Sequence, residues 1–329
     1  MTTTTASRLN FVLVAAARPQ MQLKNVVAAG LNRADRQLPC CFFYDSAGSD
    51  LFEQICDLPE YYVTRTERAI LDRYAPEIIE AAGENLAIVE YGSGSSVKTR
   101  LLLSAALERQ GSLHYIPIDI SGDFLRQSAE ILLKDYTRLR VTAIAAEYSD
   151  AGPVVPQHDS PRLFLFLGSN IGNFDRDGAV SFLKNIRQVM QPRDRILLGV
   201  DLLKDSAIIE AAYNDAQGIT AKFNKNLLVR INAELDADFD LDAFAHAAPF
   251  VEEHDRIEMR LVSKKRQEVR VGALNKTYIF AAGGFIHTEN SHKHCPNQFN
   301  LLCRAAGLEI QEQWRDARDW FSVLLLRPF

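Results

Sequence analysis

The chain is 329 residues long, with 37 Lys and Arg against 42 Asp and Glu and hydrophobic residues at 47%. That is ample apolar material for one large domain or two intertwined ones. The formal net charge of −5 argues against nonspecific attraction to nucleic acid or an anionic membrane, and no run of about 18 apolar residues offers a transmembrane helix.

In chain order, residues 1–66 show no alternation of strand and helix. The polar start at 1–5 and the short apolar patch at 11–17, closed by Arg18, do not read as a signal peptide. Residues 45–58 form a helix with Leu51, Phe52 and Ile55 on one face, stopped by Pro59. Thr66 then caps a helix over 66–82. Strand 86–89, helix 97–110, strand 115–118, helix 122–136, strands 141–145 and 163–167, helix 176–189 and strand 195–200 follow. Such alternation predicts a parallel, doubly wound sheet. After Asp201, residues 206–235 are mostly helical. Residues 256–262 and 267–271 alternate apolar and polar as antiparallel strands do. A strand region surrounds Gly283-Gly284 over 280–287. An amphipathic helix at 296–306 and two strands at 311–314 and 321–326 close the chain. The cysteines, Cys40, Cys41, Cys56, Cys295 and Cys303, are odd in number and fit neither a metal knuckle nor a C-x-x-C pair. A reduced, cytoplasmic protein is the simplest reading.

The most informative stretch is Val89-Glu90-Tyr91-Gly92-Ser93-Gly94-Ser95-Ser96-Val97-Lys98. An apolar strand ends in an acid and a Gly-x-Gly turn, a helix follows, and the next strand ends in a second acid, Asp119. This is the first half of a nucleotide-binding βαβ unit. Two details point away from a dinucleotide: the third glycine of G-x-G-x-x-G would fall at Val97, and Glu90 would set negative charge beside a pyrophosphate. A cationic, phosphate-free ligand suits both, and S-adenosylmethionine (SAM) is one. Asp119 can take its ribose hydroxyls, and the Gly92 and Gly94 backbone can lie against its methionine part. A tight turn that merely packs strand on helix is the plain alternative. With the terminal hairpin, the expected fold class is α/β: a seven-stranded, doubly wound, Rossmann-like sheet of the SAM-methyltransferase kind plus a second α+β domain. The SAM-binding domain would be 67–201 and 294–329, and the substrate-binding domain 1–66 and 202–293.

Other positions can carry chemistry. Strand 163–167 delivers Gly168-Ser169-Asn170-Ile171-Gly172-Asn173 at its carboxyl end, where open α/β sheets bind ligands. Asn173 both donates and accepts, which suits an amino-acid head group; it equally suits capping of the next helix. Glu147-Tyr148 can meet an adenine amino group and ring, or form an exposed loop. His287, His292, His294 and Cys295 lack the spacing of H-E-x-x-H or of a zinc finger, and no metal site is expected. Glu289 and Ser291, two apart in an extended segment, point the same way. A carboxylate and a hydroxyl together can hold both nitrogens of a neutral imidazole; a solvated strand end is the alternative. Tyr61 and Tyr213 are further candidates.

These motifs, joined in order, resemble the L-histidine Nα-methyltransferase family of ergothioneine biosynthesis, whose members convert histidine to trimethylhistidine (hercynine) with three molecules of SAM. The segments that carry the likeness are FFYDSAGSDLFEQICDLPEYYVTRTE (42–67), VEYGSGSSVKTRLLL (89–103), YIPIDIS (115–121), FLGSNIGNF (166–174), LLGVDLLKD (197–205), AAYNDAQGITAKFNKNLL (211–228), ADFDLDAFAH (237–246), RIEMRL (256–261) and TENSHK (288–293). The resemblance implies that Gly92, Gly94, Lys98, Asp119, Glu147 and Tyr148 line the SAM site. Glu147 stands where members commonly carry Asp. Tyr44, Phe52, Tyr61, Gly168, Asn173 and Tyr213 would surround the amino acid, with Tyr44, Asn173 and Tyr213 as the catalytic set. Asn173 and Tyr213 would hold the carboxylate, Glu289 and Ser291 the imidazole, and Met259 would pack near the side chain. The expected reaction is direct displacement at the SAM methyl by the α-amine, in a cytoplasmic monomer with no metal. Methylation of another, tryptophan-like amino acid and a non-catalytic SAM-binding protein are the alternatives.

Overall fold

The computed structural model describes residues 8–14 and 19–329; the polar start at 1–5 and residues 15–17 of the apolar patch lie outside the described residues. The chain divides into two compact units. The first holds Val63–Leu203, Lys293–Phe329 and a strand at Leu9–Leu13, and the second holds residues 19–62 and Lys204–His292.

An eight-stranded sheet forms the centre of the first unit. Six of its strands run parallel: β1 (Leu9–Leu13), β2 (Ala87–Tyr91), β3 (Leu113–Asp119), β4 (Leu139–Ala145), β5 (Arg162–Phe166) and β6 (Arg195–Asp201). Phe321–Pro328 pairs antiparallel with β6, and Leu308–Arg315 pairs antiparallel with that strand at the sheet's edge. The spatial order is β1-β4-β3-β2-β5-β6, then the two terminal strands. Every residue of β2 and β5 is buried, as continuous apolar runs covered on both faces require.

The seven expected strands are present and β1 adds an eighth. The N-terminal segment was expected wholly within the second domain. Instead β1 hydrogen-bonds in register with β4, Leu9 opposite Val141 and Leu13 opposite Ala145. Arg8 anchors its start. The guanidinium donates to the carbonyls of Leu133 (2.7 Å), Tyr136 (2.8 Å) and Leu139 (3.0 Å), at the end of helix Gly122–Asp135. Leu133 is in the helix's last turn, whose carbonyls lack intrahelical partners, while Tyr136 caps the helix and Leu139 opens β4, so the one side chain ties the helix end to the sheet.

One local expectation is corrected and another gains detail. Thr66 is not a cap: the helix is Tyr62–Ala82, and Thr66 lies buried within it. Residues 206–235 form two helices, Ser206–Tyr213 and Ile219–Leu235. Between them the Asp215 carboxylate accepts from the amides of Ile219 and Thr220, at 2.8 Å each, which satisfies donors of the second helix's first turn.

The second unit contains those two helices together with Pro19–Leu31 and Ser46–Asp57. Asp45 caps the latter by accepting from the Gly48 amide at 2.7 Å. An antiparallel sheet places Arg256–Ser263 between Phe285–His292 and Phe244–Ala247, with Phe250–Val251 also pairing to it. A separate hairpin joins Gln267–Val271 to Lys276–Phe280. The single strand region expected over 280–287 is therefore the end of one strand and the start of another, with Gly283 at φ +79° in the turn between them. No described helix is long and apolar enough to cross a membrane.

Candidate functional site

Parallel strands all present their carboxyl ends at one edge, and in the first unit every residue expected at the cosubstrate lies at such an end or in the segment after it. The strand order reverses between β2 and β5, which opens a crevice there. The loop after β2 runs with positive φ at Gly92 (71°), Gly94 (48°) and Ser96 (56°). Its start is tied to β3, since the amides of Gly92 and Ser93 donate to the Ile118 carbonyl at 2.8 and 3.3 Å. A Cβ at Gly92 would collide with the Tyr148 hydroxyl, whereas one at Gly94 would meet nothing within 4 Å. The backbone at Gly94 thus faces open space, as a ligand lying against it needs.

Asp119, at the end of β3, accepts from the amides of Gly94 and Ser121 at 3.0 Å each. Burial pushes its pKa up, against those backbone bonds, which pull it down. Each carboxylate oxygen keeps a further lone pair that can take a ribose hydroxyl. Half-buried Glu147 precedes a one-turn helix, Tyr148–Ala151. The Tyr148 ring meets those of Phe166, Phe182 and Tyr91 at centroid distances of 5.5, 5.8 and 6.1 Å. Three core rings therefore fix its orientation, and what it offers an adenine is its remaining, half-exposed side. Asn173 does not cap the following helix, because Asp175 does, accepting from the Gly178 amide at 2.8 Å. Half-buried Asn173 ends a short turn, Asn170–Asn173, instead. Val97, at the position of the missing third glycine, is 47% exposed.

Glu90 plays a different part from the one expected. Its carboxylate accepts from Thr99 Oγ1 at 2.6 Å and from the Tyr115 hydroxyl, so it braces the strand–turn–helix from inside. Burial raises its pKa to about 7, opposed by those hydrogen bonds and by the nearby Lys98 charge. Because folding raises this pKa, the stabilisation is complete below about 4.5 and is lost as pH rises through about 7. Glu90→Gln is expected to flatten the fall in stability across that window, by roughly 1–3 kcal/mol relative to wild type. Urea midpoints measured from pH 4.5 to 8 test it; parallel curves for the two proteins would refute it.

One residue of this half was missed by sequence reasoning. Glu67, with 0% of its side chain exposed, forms an ion pair with Lys98. Both its oxygens accept from the Gly168 amide, at 2.8 and 2.9 Å. Gly168 itself sits at φ +77°, where an added Cβ would lie 3.5 Å from the Lys98 ammonium. Lys98 is thus bound to a carboxylate rather than held for a phosphate, which fits a phosphate-free ligand.

In the second unit the expected substrate residues gather around aromatic rings. Centroids of Tyr44 and Phe52 lie 5.6 Å apart, Phe52 and Tyr61 6.4 Å, and Tyr61 and Tyr213 6.1 Å, all edge to face. Phe223, not anticipated, joins them at 5.5 Å from Tyr44 and 6.0 Å from Phe52. Burial first, then the neighbouring Tyr213, Cys56, Tyr44 and Glu289, hold the Tyr61 pKa well above its usual value, so its hydroxyl keeps its proton. On strand Phe285–His292, Glu289 pairs with Met259 and Ser291 with Ile257. Glu289, Ser291 and Met259 therefore share one face of the sheet. Ser291 Oγ lies 2.7 Å from the Tyr213 hydroxyl. Tyr213, expected at the carboxylate, is thus hydrogen-bonded to Ser291.

No group of three or more His, Cys, Asp or Glu able to hold a metal ion occurs among the described residues. The acceptors, amides and open backbone described here fit SAM.

Known proteins are similar to this chain along most of its length. The profile of the SAM-dependent, histidine-specific methyltransferase family matches residues 23–328. A histidine N-alpha-methyltransferase of Mycolicibacterium smegmatis is 42% identical over 303 residues, covering 92% of this chain and 94% of that protein. One from Mycobacterium tuberculosis is 41% identical over 305 residues, covering 93% and 94%. Ergothioneine biosynthesis protein 1 of Neurospora crassa is 28% identical over 327 residues, covering 94% of this chain and 35% of that protein. With a cosubstrate-type turn on β2, an acid ending β3 and a match along nearly its whole length, the chain belongs to the family of SAM-dependent, histidine-specific methyltransferases.

Proposed function

We propose that the protein methylates the α-amine of L-histidine three times with SAM, giving hercynine as the first step of ergothioneine biosynthesis. The observation that carries the choice of histidine is the shared face of Glu289 and Ser291, with Ser291 bonded to Tyr213. Glu289 accepts from the imidazole N–H. The Tyr213 hydroxyl donates to Ser291, whose own proton then goes to the bare ring nitrogen. Met259, directly opposite Glu289, supplies the apolar contact.

SAM, when bound, supplies an electrophilic methyl group on a positively charged sulfur. Asp119 would hold its ribose, the Gly92–Gly94 turn its methionine part, and Glu147 and Tyr148 its adenine. Lys98 is kept in place by Glu67. Asn173 would take the amino acid's carboxylate. Anchoring the substrate by carboxylate and ring leaves the amine able to rotate between rounds. The amine arrives neutral; after the first and the second transfer it loses one proton, to water or past Tyr44, and the third transfer gives a quaternary ammonium with none left to lose. Alignment of this kind accounts for up to about 7–11 kcal/mol of a barrier in favourable cases.

The test is mass spectrometry of products from purified protein, SAM and an equimolar mixture of amino acids. Histidine carrying one, two and three added methyl groups is the expected result. Methylation of tryptophan or another amino acid instead overturns the role of Glu289 and Ser291. SAM binding without any methylation overturns the enzyme.

A further inference from the structure

In the second unit, Asn224 is fully buried in helix Ile219–Leu235, at 0% exposure. Buried amides are kept only where their polar atoms are bonded. Its Oδ1 accepts from Thr288 Oγ1 at 2.8 Å. Its Nδ2 lies 2.9 Å from His246 Nδ1 and 3.2 Å from the Arg260 carbonyl. His246 Nε2 in turn lies 2.8 Å from the Tyr213 carbonyl. A carbonyl can only accept, so Nε2 carries the proton, Nδ1 is bare, and the Asn224 amide donates to it. One bond thus fixes both the tautomer of His246 and the orientation of Asn224. Burial lowers the His246 pKa, which agrees with a neutral ring.

Thr288 occupies a critical step. The register of Phe285–His292 against Arg256–Ser263 shifts between His287 and Glu289. An irregularity of this kind re-aims the side chain beside it, and here that side chain is Glu289. The Thr288 hydroxyl also lies 3.0 Å from the Met259 carbonyl.

We infer that Asn224 is a positioning residue of the amino-acid site, holding the direction of Glu289 through Thr288 and the backbone of Tyr213 through His246. This rests on the histidine reading of that site. Asn224 touches neither substrate nor cosubstrate in this role; it acts at both ends of the imidazole clamp.

Two variants of Thr288 separate this role from packing. Thr288→Val keeps the shape and removes the hydroxyl, whereas Thr288→Ser keeps the hydroxyl and removes a methyl. Amino-acid and S-adenosylhomocysteine affinities are measured by calorimetry on the full chain. Thr288→Val is expected to weaken amino-acid binding roughly tenfold, with S-adenosylhomocysteine affinity unchanged. Thr288→Ser should stay near wild type. A packing role predicts the reverse order, with serine the poorer variant, and that order overturns the proposal. Asn224→Ala releases both arms and is expected to exceed the valine variant; if it does not fold, the Thr288 pair still decides. The wild-type titration tests the histidine reading separately. If the wild type takes another amino acid, the variants are read on that one, and binding of none overturns both.

Discussion

Replacing Glu289 by alanine is expected to weaken histidine binding by about 30–150-fold while SAM affinity stays within roughly twofold of wild type. The carboxylate stands on a strand whose neighbour fixes it from below, with Met259 directly opposite and Ser291 two residues on. Its charge is felt by the buried Tyr61, whose pKa it helps to raise. A hydrogen bond to a charged group contributes about 1.5–3 kcal/mol net. Alanine forfeits that and also leaves the bound imidazole N–H without an acceptor. Glu289→Gln keeps an acceptor and loses only the charge, so it should fall between the two. Calorimetric titration of each variant with histidine and with S-adenosylhomocysteine separates the outcomes. Equal loss of both affinities would mean that Glu289 supports the fold rather than the ring, and the choice of histidine would fall with it.

The parts legible in the sequence were those with a local cause. A Gly-x-Gly turn between an apolar strand and a helix has few structural solutions, and the positive φ values at Gly92 and Gly94 are what those glycines permit. Glu289 and Ser291 could be placed on one face because an extended chain alternates. What stayed hidden depends on contacts far apart in sequence. Glu67 lies on a helix where an acid ordinarily faces water. Its burial is set by the loop after β5, 101 residues on. Asn224 read as one polar residue of a mixed helix, yet its partners lie 64 residues away at Thr288 and 22 at His246. Strand β1 is only five residues long, LNFVL, and its place depends on pairing with β4. Glu90 shows the opposite error. Its position was read correctly, but its charge was aimed at a ligand when Thr99 and Tyr115 take it instead.

The same reasoning makes Glu67 a sensitive acid of the first unit. Glu67→Ala leaves the Gly168 amide without its acceptor and Lys98 without its counter-charge. Breaking a fully buried ion pair from one side costs about 3–5 kcal/mol. Lys98 is 21% exposed and water can reach it, so about 2–4 kcal/mol is expected here. The cost also falls on function, since Gly168 and Lys98 belong to the loops after β5 and β2, at the switch point of the sheet. S-adenosylhomocysteine affinity should therefore drop together with the urea midpoint. Glu67→Gln retains an acceptor for Gly168 and should keep most of the stability while losing its hold on Lys98. An independent route reaches the same carboxylate without altering it: a Cβ at Gly199, on β6, would collide with Glu67 Oε1. Gly199→Ala should thus reproduce the alanine variant of Glu67 in both readouts. If either alanine variant keeps wild-type stability and cosubstrate affinity, Glu67 is not the brace of this site, and Lys98 and Gly168 must be positioned by other contacts.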